Sequence, residues 1–489
     1  MARACQSVRH VMTDLADFSA LDLTRAYQAG EASPREALQA VRARIDAWEP
    51  TINAVWHRDD TQGDQQALAA EARWRSGEPL SPLDGVPVTL KDNLTTEGVP
   101  TPLGSAASNL SPAPRDAPAA ARLKEAGAVL VAKTTMPDFG MLTSGVSTKH
   151  GTTRNPWNPE WNPGGSSSGG AAATVAGYAP INVGTDIGGS VRLPASFTGV
   201  VGHKPSFGRV PVSPPYYARV AGPLTRTVAD AARAMSVLAR PDDADFMSLP
   251  PQDLDWEDLE IRVAGARIAL TTDAGAGMPT DPEVARAVES AAQTLSGAGA
   301  HVEPIGPLIT DAMLSGLDRF WRMRSLRDLR KLPAENQARM LPYLREWMNA
   351  AADRTGMELF EDFSQLEAIS SAARDAIDGF DYILCPVCPV ATFSAELPSP
   401  AADPARALEH IAYTVRFSIS GHPAISVPWT TTADGRPIGI QVVGRRFADV
   451  PVLALGAACE RLRPELPPWP AAPAGDGGSA AAGAAASAG

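Results

Sequence analysis

Lysine is scarce in this chain of 489 residues. Of its 43 basic residues only six are lysines, namely Lys91, Lys124, Lys133, Lys149, Lys204 and Lys331. Acidic residues number 55, for a formal net charge of −12, which argues against binding nucleic acid through its phosphates but leaves small neutral or anionic substrates open. Cysteine is rarer still, at positions Cys5, Cys385, Cys388 and Cys459, which suits a reducing compartment. Cys385-Pro-Val-Cys388 has the spacing of a redox motif, but it follows the apolar run from Phe380 instead of opening a helix. No second Cys/His pair lies nearby, so a strand end is expected there, with no metal site. No stretch approaches 18 consecutive apolar residues, so no membrane span is expected. The first ten residues lack the apolar segment of a secretory signal, and the expected location is the cytoplasm.

The hydrophobic fraction of 44% and charged fraction of 20% are those of an ordinary globular protein. Length alone would suggest two or three domains. Apolar residues recur at helical spacing from Ser19 to Trp48, with Ser33-Pro34 opening a second helix. A helix over 116–126 and a buried strand over 127–132 follow, and this alternation of short runs predicts a layered α/β fold. Further strands are expected at 181–184, 262–270, 382–385, 425–428 and 437–444, and helices at 170–178, 281–298 and 453–462. Residues 311–378 read as charged helices carrying Trp321, Met323, Trp347 and Met348. They form either a solvated layer or a cap that shapes a pocket.

The chemistry concentrates in a Gly/Ser-rich stretch. Asn162-Pro-Gly-Gly-Ser-Ser-Ser-Gly-Gly170 is followed by Thr185-Asp-Ile-Gly-Gly-Ser190. A serine hydroxyl needs a neighbouring base to become a nucleophile. Seven histidines are present, none in a recognisable partner pattern. Lys91 and Lys133 each end an apolar run, where lost hydration lowers an amine's pKa and lets it act as a base near neutral pH. Local sequence does not separate the two. The glycines at 188 and 189 allow the N–H groups of Ile187, Gly188, Gly189 and Ser190 to converge as an oxyanion hole, the alternative being a plain tight turn. Gly165-Ser-Ser167-Ser-Gly169 fits the G-x-S-x-G elbow, but the loop-like 158–163 segment before it does not supply the required strand.

Together these segments resemble the amidase signature family from about Leu21 to Leu462. The matching pieces are Gly85-Val-Pro-Val-Thr-Leu-Lys91-Asp-Asn93, Gly127 to Pro137, Gly164 to Gly170, Gly184 to Pro194, Gly202 to Arg209, Gly222 to Asp230 and Gly435 to Gly439. The resemblance implies a single α/β domain over 19–462, built on a large twisted mixed β-sheet flanked by helices. An N-terminal extension (1–18) precedes it, and a Pro/Ala/Gly-rich tail (463–489), expected to be disordered, follows. It also implies a Ser–cis-Ser–Lys triad, with Ser190 as nucleophile, Ser166 as the bridging serine in a cis peptide, and Lys91 as base.

The implied activity is hydrolysis of small neutral or aryl amides, and of carbamates, through an acyl-Ser190 ester, with no metal or organic cofactor. The alternative is the glutamine-hydrolysing, A-type component of a tRNA-dependent amidotransferase. By the same resemblance, Gly140 and Met141 align with a pocket wall and 311–378 with the family's most variable region, which shapes the acyl or leaving-group pocket. The Phe207–Tyr217 loop is expected beside the nucleophile, with Arg209 in contact with substrate, the alternative being a structural surface loop. The expected partners are the small-molecule substrate and a second copy of the chain in a homodimer, with no nucleic acid and no membrane.

Overall fold

The chain enters through two helices whose starts are fixed by short polar side chains. Ser19 and Ser33 each accept from the backbone N–H three residues on, while Asp22 and Glu36 reach back. These capping boxes open the helices Ala20–Ala29 and Pro34–Ile52, the second with proline in its first turn. Leu23, Ala26, Tyr27, Ala37, Leu38, Val41 and Ile45 are buried, so the expected apolar stripe is the packed one. These are features of a computed structural model that describes residues 14–473.

The frame is a mixed sheet of 11 strands among the described residues. In spatial order they are Val55–His57, Val129–Thr134, Pro87–Lys91, Ile181–Asp186, Val220–Thr225, Val201–Lys204, Ala424–Thr431, Pro437–Gly444, Tyr382–Pro386, Arg267–Leu270 and His301–Pro304. Pro87–Lys91 runs parallel to both its neighbours, with Leu90 opposite Lys133 on one side and Val183 on the other. Ile181–Asp186 then pairs antiparallel with Val220–Thr225. The strands 87–91, 129–134 and 181–186 are buried along their whole length, as parallel strands covered on both faces must be. One such sheet makes this a single α/β domain, not the several that length alone suggests.

Period-two alternation divides the core. Ile268, Leu384 and Val442 face one cluster, under the helices Val228–Leu238, Pro282–Gly297 and Asp449–Leu462. Ala269, Ile383 and Val443 face the other, under Asp311–Leu329, Pro342–Asn349, Gly356–Ile377 and Ala412–Ile419. The 311–378 region is therefore one of the two covering layers: Leu317, Trp321, Leu326, Trp347 and Ile369 are buried in it, while Met357 and Phe360 stay exposed. The strand Val220–Thr225 escapes a reading by sequence because Gly222 and Pro223 sit in its middle. The glycine is required by close approach, since a Cβ there would collide with the His203 carbonyl of the next strand.

One expectation meets a different outcome. The beginning of the tail is ordered: Trp469 packs on Trp157 at 5.9 Å between ring centroids and under the Arg226 guanidinium at 4.9 Å. The remainder, 474–489, lies outside the described residues, as do residues 1–13 with Cys5 and the segment read for a secretory signal. Of the extension, Asp14 and Asp17 are tied to Arg44 on the second helix. Cys385 ends a strand as expected and, like Cys388, is a buried free thiol, and burial pushes Cys388 up to about 12. No helix among the described residues is long and apolar enough to cross a membrane.

Removing one capping box tests the local logic. Ser33→Ala should cost about 1 kcal/mol, read as a lowered urea midpoint with an unchanged slope.

Candidate active site

Three lysines are buried, and burial pushes each of them down to about 7: Lys91, Lys133 and Lys204. Acidity alone therefore does not choose a base; their partners do. Lys133 Nζ donates to the Leu94 carbonyl and to Thr96 Oγ1 at 3.2 Å. Lys204 Nζ donates to the Pro205 carbonyl at 2.9 Å. Lys91 ends the central parallel strand, and its Nζ meets hydroxyls: Ser166 Oγ at 2.8 Å, Ser167 Oγ at 3.0 Å and Thr185 Oγ1 at 3.1 Å. Its carboxylate neighbours are occupied elsewhere. Asp92 accepts from the Leu103 and Gly104 N–H groups and contacts His150 Nε2 at 2.8 Å. Asp186 pulls the Lys91 amine part of the way back up, while Arg219 pushes it further down.

The bridging serine sits where the chain is held from several sides. Asn162, fully buried, accepts from the N–H groups of Gly145 and Gly164 and donates to Ser144 Oγ and to the Ala395 and Leu397 carbonyls. The Gly165–Ser166 peptide that follows is cis, the geometry implied by the family resemblance. Ser167 then opens the alanine-rich helix Ser168–Ala176, and its N–H donates to the Ser190 carbonyl at 3.1 Å. One hydrogen bond thus ties the two serine loops together.

The nucleophile loop turns on a buried ion pair. Asp186 Oδ1 and Oδ2 accept from Arg192 Nη2 at 2.9 Å and Nε at 3.0 Å, both side chains being fully buried. Arg192 extends the network to the Thr414 carbonyl, Gln441 Oε1 and Ser418 Oγ. Burial by itself would raise the Asp186 carboxyl, yet the Arg192 charge and hydrogen bonds carry it down to about 2. The same carboxylate accepts from Gly189 N–H at 2.8 Å and Val191 N–H at 3.1 Å, which curls the chain back on itself. Gly189 has φ +124°, and a Cβ there would meet Thr414 Oγ1 at 2.5 Å, so glycine is required.

Of the four expected oxyanion donors, the Gly189 N–H is therefore already engaged by the Asp186 carboxylate. Those of Ile187, Gly188 and Ser190 donate to no acceptor among the described residues, and all three residues line one cleft. Ser166, Gly140 and Met141 line it too, and a Cβ on Gly140 would come within 3.3 Å of Ser166 Oγ. Arg209 does not. It is buried against Asp449, with Nε 3.1 Å from the carboxylate, and touches neither serine loop. The arginines in the cleft are Arg219 and Arg324, neither singled out by the sequence reading, beside Asn93, Phe139 and Trp321. The Pro- and Tyr-rich run that ends at Arg219 was the available signal, and Arg209 at its other end was the wrong choice. Among the described residues no group of three or more His, Cys, Asp or Glu is placed to hold a metal.

The model of the family described as Amidase matches residues 36–453. The chain is 35% identical over 480 residues to the A-type component of the glutamyl-tRNA(Gln) amidotransferase of Myxococcus xanthus, covering 91% of this chain and 97% of that protein. It is 32% identical over 463 residues to an acylamidase of Rhodococcus erythropolis, covering 91% and 95%. The crystal structure of a bacterial aryl acylamidase of the amidase signature family superposes with a TM-score of 0.84 at 30% identity, covering 91% and 96%.

Because Arg192 balances a buried carboxylate, Arg192→Met should destabilise the protein by about 3–5 kcal/mol, more than the double variant Asp186→Asn/Arg192→Met. Paired urea denaturation curves check the order.

Proposed function

The chain belongs to the amidase family, and from its site we propose a stand-alone hydrolase that cleaves C–N bonds of small amides, aryl amides and carbamates among them, through an acyl ester on Ser190. The observation that carries this is the 2.8 Å approach of a buried, carboxylate-free lysine to Ser166 Oγ, in the cleft that Ser190 also lines. A neutral amine has two N–H groups and one lone pair. Three hydroxyl oxygens surround Lys91 Nζ, so two accept from it and the Ser166 hydroxyl donates to the lone pair. In this reading the Ser190 proton passes to Ser166 as the Ser166 proton passes to Lys91, and Ser190 Oγ attacks the carbonyl carbon. The N–H groups of Ile187, Gly188 and Ser190 take the developing oxyanion. Ser166 returns a proton to the departing nitrogen, the C–N bond breaks, and water then hydrolyses the ester by the reverse relay.

The apolar wall of the cleft, with Phe139, Met141, Leu193, Trp321 and Ile411, suits an aryl or alkyl body. The likeness to the A-type components of amidotransferases supports a second reading, release of ammonia from glutamine for a partner. The two readings part on partner dependence. Purified chain should release aromatic amine from aryl amides unaided; activity on glutamine alone, and only with added partner chains, would replace the first reading by the second.

Lys91→Ala and Ser166→Ala should each lower kcat by about 10²–10⁴-fold, and Ser190→Ala should abolish fluorophosphonate labelling. With the Lys91 amine pushed down to about 7 and neutral in the active form, kcat/KM should rise with pH. At pH 6 it should stand at about a tenth of its plateau, which is reached near pH 9. A flat profile between these limits, with chemistry rate-limiting, would remove Lys91 as the base.

A further inference from the structure

Two guanidinium groups stand in the cleft without a carboxylate in contact among the described residues. Arg219 and Arg324 line it together with Ser190, and among the described residues neither forms an ion pair with a carboxylate. Asp328, which lines the adjoining cavity with both arginines, is held by Lys331 at 3.0 Å. Both arginines pack on the Tyr216 ring, at 5.1 Å and 4.8 Å from its centroid, and Arg324 also on Trp321 at 5.8 Å. Contact with a ring uses up no N–H group, so the guanidinium donors remain available to in-plane acceptors. The one such contact present is weak, Arg324 Nη2 to Met141 Sδ at 3.1 Å. Burial, and after it the neighbouring Arg324, bring Arg219 down to about 10, against a partial upward pull from Tyr216 and Asp328.

Like charges placed side by side, without a carboxylate, cost stability in a protein that has no use for them. A bound carboxylate removes that cost and matches the guanidinium fork. Among the described residues the lining of the cleft contains no Asp or Glu, so an ammonium group on the same ligand would find two cations and no anion.

We propose that the substrate is an amide that carries a carboxylate and no α-ammonium group, its carboxylate held by Arg219 and Arg324 while Ser190 attacks the amide carbonyl. This rests on the Ser190 hydrolase reading above and departs from the expectation of a neutral substrate. It also separates this chain from an enzyme for glutamine, which is a zwitterion.

Three anilides on one scaffold test it: N-phenylglutaramate, its neutral isostere 5-methylhexananilide, and γ-glutamyl anilide, which adds the α-ammonium. Aniline release should give kcat/KM for N-phenylglutaramate at least about tenfold above each of the others. The preference should fall to within about threefold in Arg219→Met/Arg324→Met and return in part in Arg219→Lys/Arg324→Lys, which restores charge without the fork. In parallel, glutarate should slow fluorophosphonate labelling of Ser190 in the wild type and not in the double methionine variant. Equal or better turnover of the neutral or zwitterionic anilide overturns the proposal and leaves the hydrolase intact. So does a preference that survives in the methionine variant, or labelling that glutarate does not slow. No aniline from any substrate together with an unlabelled Ser190 overturns the hydrolase reading itself.

Discussion

Desolvation of one amine is the constraint around which this molecule is arranged. Lys91 lies at the end of a strand buried on both faces, and water that would stabilise its charge has been replaced by hydroxyls. A carboxylate in direct contact would restore the charge and the high pKa with it. The two nearby carboxylates are instead neutralised or capped by other groups, Asp186 by Arg192 and Asp92 by backbone N–H groups and His150. The wide mixed sheet, with a covering layer on each side, is what makes such a dry position available.

The second constraint is the Asp186–Arg192 pair, which shapes the loop between them. Its carboxylate holds the Gly189 N–H, while Ile187, Gly188 and Ser190 line the cleft. A loop of glycines is flexible by default. Here the Asp186 acceptors fix it, so the loop proposed to stabilise an oxyanion is shaped before any substrate arrives.

How legible this was in the sequence differs residue by residue. Helix starts at Ser19 and Ser33 and the strand Pro437–Gly444 follow from local chemistry and were readable as they stand. The choice of Lys91 over Lys133 was not, because both end apolar runs and both are buried. What separates them is the other end of the hydrogen bond, supplied by residues some 75 and 94 positions away for Lys91. Arg209 and Arg219 share one loop and one composition, yet Asp449, from the last helix, claims the first and leaves the second to the cleft. Gly189 was legible as a turn glycine but not as a donor withheld from substrate. In each case the missing information was a long-range partner, which no local pattern carries. The 463–473 segment failed for a related reason: low-complexity composition hid one tryptophan with an aromatic seat on Trp157.

The reach of Arg192 also bears on when the protein becomes active during its synthesis. Lys91, Ser166 and Ser190 have all left the ribosome before half the chain is made. The acceptors that seat Arg192 come from Thr414, Ser418 and Gln441. Until those segments emerge, the turn that bears Ser190 has a buried cation with too few partners and no fixed shape. On the proposed mechanism, a nascent or truncated chain therefore carries Lys91, Ser166 and Ser190 without an assembled site, which is completed only by the helix Ala412–Ile419 and the strand Pro437–Gly444.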